Sequence, residues 1–161
     1  RDLVTLRDGC RATEVDARYI EAIIGYNDER FRWGVRMAEE HLLKGRKNPT
    51  IAVWGLAYKK DTASTKNSRS LRVLQELAGR ARIRAYDPLV KQVDPKLGAT
   101  ICSREEALAQ ADGLLIMTEW DEFAKVDPAV FKTMARPVII DCVGVLRQDP
   151  PGIQVHSMGK S

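Results

Sequence analysis

Apolar residues fall at two different spacings along this chain. From Thr13 to Lys44 they recur every three or four positions: Val15, Tyr19, Ile20, Ile23, Ile24, then Phe31, Val35, Ala38 and Leu42. That period is one face of an α-helix. Thr13 and Asp16 suit its start, with acidic character near the positive end of the helix dipole. Gly45 suits its stop. One helix over 13–44 would run about 48 Å at 1.5 Å per residue, longer than a small domain needs. Gly25 and Asn27 are where it would weaken or bend. Such a helix either links domains or packs against a second copy. The polar, basic stretch GRKNP, Gly45 to Pro49, reads as a connector.

From Thr50 the pattern changes to short apolar runs separated by amphipathic stretches. TIAVWGL, IRAYDP, TICS, DGLLIMTEW, PVIIDCV and IQVHSMG read as strands. SRSLRVLQELAGR is helical, with Leu71, Leu74 and Leu77 on one side and Gly79 as its stop. REEALAQA and DPAVFKTMA read as two further helices, with Pro128 in an allowed first-turn place. The strand runs are continuous rather than alternating, as expected for strands covered on both faces of a parallel sheet. The expected fold class is therefore α/β: a doubly wound, mostly parallel sheet preceded by a long central helix. Residues 1–48 form the helical segment and 49–161 the α/β domain.

Composition narrows the function classes. The 161 residues carry 44% hydrophobic and 30% charged residues, enough for an ordinary core. The net charge of +4 is scattered without a long basic run. A solvated surface explains it better than nucleic acid, and an anionic small molecule is an equally good use for the excess charge. Three widely spaced cysteines, Cys10, Cys102 and Cys142, support neither a disulfide framework nor a zinc site, so no metal is expected. No apolar run approaches the roughly 20 residues of a membrane span, and no signal-peptide pattern is present. A cytoplasmic location is the default expectation. The chain opens RDLVTL without Met, which fits a piece of something longer.

Candidate chemistry lies at the carboxyl ends of the strands, where open α/β sheets bind ligands. The first strand is followed by a loop of about 13 residues, Gly55 to Asn67, against a usual 2–6. It holds Lys59, Lys60 and Lys66 with hydroxyls at Thr62, Ser64, Thr65 and Ser68. Ammonium groups and hydroxyls beside a helix N-terminus suit a phosphate or pyrophosphate. Solvated lysines with Ser68 as a simple cap fit the composition equally well. The loop lacks both G-x-G-x-x-G and the P-loop spacing. Asp87-Pro88 is read first as a strand-ending turn, and second as a ribose-binding carboxylate. Trp120 and Phe123 are read as packing residues. Asp141 caps a loop or serves a site, with neither favoured.

The stretch IAVWGLAYKKDTASTKNSRSL, Ile51 to Leu71, resembles the start of the C-terminal domain of the UDP-glucose/GDP-mannose dehydrogenases. Gly55, Leu56, Ala57, Tyr58, Lys59, Asp61, Thr62 and Ser68 match that pattern. Ser64, Lys66 and Asn67 replace its Asp, Arg and Glu. YDP at Tyr86–Pro88, ADGLLIMTEWDEF, VIIDCVGVL and the closing HSMGKS resemble later family segments in order. EAIIGYNDERF resembles the family's central helix. The resemblance covers essentially the whole chain.

The resemblance implies a Rossmann-like domain that binds the nucleotide part of a UDP-sugar. It implies an enzyme that oxidises the sugar C6 alcohol to a carboxylate in two NAD-dependent steps through a covalent cysteine adduct. UDP-glucose to UDP-glucuronate is the expected reaction. NAD would sit in an N-terminal domain absent from these residues, and the central helix would build a homodimer. Arg1-Asp2-Leu3 fits the tail of the motif that carries the nucleophilic cysteine. Asp2 is then the candidate catalytic residue, the nucleophile lies upstream, and the chain by itself is inactive. Cys10 does not match the nucleophile. Tyr58 and Lys59 would contact substrate, with Lys60, Asp61, Thr62 and Thr65 lining the same pocket. The family's arginine after the buried Asp-x is replaced by Val143, and Arg147 is out of register. That substitution leaves open a second expectation, a non-catalytic dimerisation module whose nucleotide pocket has decayed.

Overall fold

The computed structural model describes residues 2–158, with the side chains of Asp2 and Arg30 outside the description. Six strands form one sheet: β1 (Thr50–Trp54), β2 (Arg82–Tyr86), β3 (Ala99–Ile101), β4 (Gly113–Ile116), β5 (Val138–Asp141) and β6 (Gln154–Ser157). Their order is β3-β2-β1-β4-β5-β6, and every neighbouring pair is parallel. The expected class is right, and the sheet is wholly rather than mostly parallel. β1, β4 and β5 are buried at every position, which is why they read as continuous apolar runs. β2 alternates, and the edge strands β3 and β6 are only partly covered.

The helices between strands follow their local signals. In α3 (Arg69–Leu77), Ser70, Val73, Leu74 and Leu77 face the core at helical spacing. Ser68 caps it by accepting from the Ser70 amide at 3.2 Å. In α4 (Arg104–Leu108), Ser103 and Glu106 form a reciprocal capping box. This helix ends earlier than expected, with Gln110 at φ 56°. Short α5 (Asp121–Ala124) follows β4. Pro128–Thr133 is a 3-10 turn rather than the expected α-helix; it places Phe131 against Trp54, beside Phe123, in the core.

The N-terminal helix departs most from expectation. Residues 2–12 already form a helix, α1, and the chain turns at 13–17 with Glu14 at φ 55°. The long helix α2 (Arg18–Ala38) then starts where the Asp16 carboxylate accepts from the Arg18 amide at 2.9 Å. Asp16 is thus a start signal, as its acidity suggested, but for a helix beginning five residues later than Thr13. Gly25 and Asn27 leave α2 unbroken. Its last turn widens instead to a π-helical turn over Glu39–Leu43. The second half of α2 belongs to the core of the α/β layers. Ala38 and Leu42 are fully buried. Gly34 lies so close to Cys142 that a Cβ there would sit 2.9 Å from its Sγ. Gly113 meets Leu42 in the same way. Arg72 of α3 stacks over Phe31 at 4.2 Å and pairs with Asp28 at 3.1 Å, tying α3 to α2. No helix among the described residues is long and apolar enough to cross a membrane.

Candidate functional site

Leaving β1, the chain moves outward through β2 and β3, then returns to place β4 on the other side of β1. The carboxyl ends of β1 and β4 therefore flank the topological switch, where a crevice opens in such sheets. The residues from Gly55 to Ser68 emerge there, alongside those after Tyr86, Ile116 and Asp141.

The start of the first loop is rigidly built. Gly55 has φ 90°, and a Cβ on it would lie 2.6–2.7 Å from the backbone and side chain of Thr118. Only glycine permits both that backbone angle and that approach. The next two amides, of Leu56 and Ala57, donate to Oδ2 of Asp87 at 2.7 and 3.0 Å. The Ala57 carbonyl accepts from the Thr118 hydroxyl at 3.0 Å. The Tyr58 amide donates across the loop to the Ser64 carbonyl at 2.8 Å.

All six candidate substrate residues lie on this one loop. Tyr58 is 55% exposed, and Lys59 and Asp61 are also exposed. Asp61 takes φ 61°. The Thr62 hydroxyl accepts from the Ser64 amide, and the Thr65 carbonyl accepts from the Ser68 amide. Lys60 has a different environment: its ammonium donates to Asp121 at 2.9 Å. That hydrogen bond and the Asp121 charge, with Asp61 and Glu119 nearby, hold the Lys60 ammonium above its ordinary value. Lys60 in turn holds the Asp121 carboxyl below the usual range, helped by Lys125 and Arg147. Among the described residues no carboxylate pairs with Lys59. The two adjacent lysines are therefore unequal, one engaged and one open. Asp2, the candidate catalytic residue, opens α1, and its side chain lies outside the described residues.

Asp87 is a turn residue, as first read, and more than that. It is 1% exposed and accepts from four backbone amides and the Trp120 indole. Neither oxygen is open to a ribose. Nor do the Leu56 and Ala57 amides remain open to a pyrophosphate. The loop thus does not fit a dinucleotide such as NAD. Asp141 does similar work one strand away. Its carboxylate accepts from the amides of Val143, Gly144 and Leu146 at 2.8–3.1 Å. It serves as a loop cap, and this turn presents Val143 where the family pattern has an arginine.

Comparison with known proteins agrees with this architecture. Residues 52–148 match the UDP-glucose/GDP-mannose dehydrogenase family, UDP binding domain. The chain belongs to that family. The UDP-glucose 6-dehydrogenase of Rhizobium meliloti (strain 1021) is 33% identical over 169 residues, covering 99% of this chain and 38% of that protein. The chain thus spans well under half the length of this relative. The structure of a UDP-D-ManNAc dehydrogenase from Pyrococcus horikoshii is 28% identical with a TM-score of 0.72, over 89% of this chain and 32% of that one. A UDP-glucose dehydrogenase from Pyrobaculum islandicum shares the fold, with a TM-score of 0.78 at 23% identity over 96% and 35% of the two chains.

Within this family member, two partners of the loop escaped the sequence reading. Asp121 stands 61 positions from Lys60, and an acidic residue opening a helix carries no mark of a distant lysine. Thr118 stands equally far from Ala57. The T-x-W spacing places Thr118 and Trp120 near a strand end, but does not show that both grip the first loop.

Proposed function

We propose that this chain is the nucleotide-binding part of an NAD-dependent nucleotide-sugar 6-dehydrogenase that converts UDP-glucose to UDP-glucuronate. In this reading Tyr58 and Lys59 contact the substrate, and Lys60, Asp61, Thr62 and Thr65 line the same site. The observation that carries it is the unequal lysine pair on a fixed backbone. Lys59 emerges at the switch point, open to a diphosphate, while Lys60 is held at Asp121. A charge-assisted lysine–phosphate bond contributes about 1.5–3 kcal/mol.

The oxidation itself belongs to the rest of the full-length protein. NAD would be bound by another domain, since the β1 loop does not fit it. Asp2 is the one residue of this chain assigned to the reacting centre, so the 161 residues alone would be inactive. A homodimer forms through residues 1–48, where Val4, Leu6, Val15, Tyr19 and Tyr26 leave large apolar side chains exposed on the α1–α2 hairpin. A cytoplasmic setting is part of the same reading.

Calorimetric titration of the chain with UDP, UDP-glucose and GDP-mannose tests this. Binding of UDP and UDP-glucose in preference to GDP-mannose is expected, weakened by Lys59→Ala. If none binds, and Lys59→Ala is also silent in the full-length enzyme, the site assignment fails. The chain is then better read as a dimerisation module, as the Val143 substitution would suggest.

A further inference from the structure

At Asp87 the strand-end turn takes up only one carboxylate oxygen. Oδ1 of Asp87 does that ordinary work, accepting from the Leu89 and Val90 amides, both at 2.9 Å. The other oxygen is committed elsewhere. Oδ2 accepts from Leu56 N at 2.7 Å, Ala57 N at 3.0 Å and Trp120 Nε1 at 3.2 Å. These three donors come from the loops after β1 and β4, 30 to 33 positions away in sequence. One buried carboxylate therefore joins three strand-end loops. The residue it fixes last, Ala57, immediately precedes Tyr58 and Lys59. Its carbonyl is held in turn by the Thr118 hydroxyl.

We propose that Asp87 is the positioning residue of the nucleotide loop. It touches no ligand. It fills with its own negative charge the amide pair that would otherwise receive an anion, and so fixes the backbone from which Tyr58 and Lys59 project. This rests on the nucleotide-binding reading above. A side chain presented from an ordered backbone loses less freedom when ligand binds. The loop from 58 to 67 can then be largely exposed and still present Lys59 in one place.

Two substitutions separate positioning from simple loss of fold. Asp87→Ala removes the carboxylate and leaves a space that formate can enter. Asp87→Asn retains one acceptor oxygen. Turned toward the three-donor side, its amide keeps the Leu56, Ala57 and Trp120 contacts and sets its NH2 against Leu89 and Val90. The experiment measures UDP affinity by calorimetry, amide exchange at 56–57 and 89–90, and the urea midpoint, all on the whole chain. For Asp87→Ala, UDP affinity should fall tenfold or more, with protection lost at Leu56 and Ala57. Formate should restore both, and chloride at equal ionic strength should restore neither. For Asp87→Asn, protection should fall at 89–90 and UDP affinity should stay within about threefold of the parent.

The proposal is overturned if UDP affinity across these samples follows the urea midpoint rather than protection at 56–57. It is equally overturned if Asp87→Ala loses that protection and binds UDP as the parent does. Should Asp87→Ala not fold, Asp87→Asn carries the test alone. A loss of affinity while 56–57 stay protected then overturns the proposal. A parent chain that binds no UDP is a separate result, and counts against the nucleotide reading itself.

Discussion

Substituting Gly55 with alanine tests the geometry on which the site is built. Two costs are imposed at once. At φ 90° an L side chain is strained, by about 1–2 kcal/mol for left-handed backbone. The new Cβ would also stand 2.6–2.7 Å from Thr118 atoms, one of them the backbone nitrogen, so a side-chain rotation cannot relieve it. Overpacking of that kind costs a further ~1–3 kcal/mol. Gly79 provides the control. Its φ is 74°, and nothing lies within 4 Å of where its Cβ would be. Gly79→Ala therefore carries the backbone cost without the collision. The entropy that alanine removes from the unfolded chain is common to both and cancels. Gly55→Ala should be less stable than Gly79→Ala by about 1–3 kcal/mol. With a urea slope of about 2 kcal/mol/M, the midpoints should differ by about 0.5–1.5 M. Equal midpoints with equal slopes would refute the packing of Gly55 on Thr118, and with it the clamped start of the first loop.

Other outcomes follow from the same structure. Lys59→Ala should weaken UDP binding by about 10- to 100-fold, whereas Asp121→Asn should strengthen it by releasing Lys60; titration of both variants checks the order. Burial, with the Glu122 carboxylate beside it, pushes the Tyr86 phenol up from 10.0 to about 12. The folded protein thus holds that proton more tightly than the unfolded chain. This stabilisation is full below pH 10 and lost as pH rises toward about 12, and Tyr86→Phe should flatten that alkaline decline in urea midpoints. The His156 imidazole stacks on His41 at 3.8 Å, and burial, then the His41 charge, depress it below 6.5, with Glu40 opposing. Its contribution is complete above pH 6.5 and lost as pH falls from there; stability at pH 5.5 relative to 7.5 should drop less in His156→Asn. Replacing Tyr19 and Tyr26 by Glu should shift the chain toward monomer in sedimentation, and an unchanged dimer would move the interface elsewhere.

Much of this protein is written locally. The continuous runs AVW, LLI and VII identify strands covered on both faces, because every position of β1, β4 and β5 must avoid water. Ser68, Ser103 and Asp127 mark helix and turn starts, because a cap bonds to an amide two or three residues away. The length of the first loop and its lysines single out the carboxyl end of the sheet. All of these signals act over a few residues, and a sequence displays them directly.

Other features are decided at a distance. Composition gave Lys59 and Lys60 the same character, and only Asp121 makes them differ. Asp87-Pro88 signalled a turn, and only the approach of β1 and β4 gives its second oxygen three more donors. The helix over 13–44 broke at Glu14 rather than at Gly25, because α1 occupies residues 2–12 and the chain must turn before α2 can begin. Each of these outcomes depends on which groups the fold brings within hydrogen-bonding or packing range. Burial then makes the choice binding, since an amide or carboxylate withdrawn from water must find its partner inside the protein. The sequence by itself determined the layers and the end of the sheet from which the long lysine-bearing loop emerges. The tertiary structure decided which side chains there are held and which remain open.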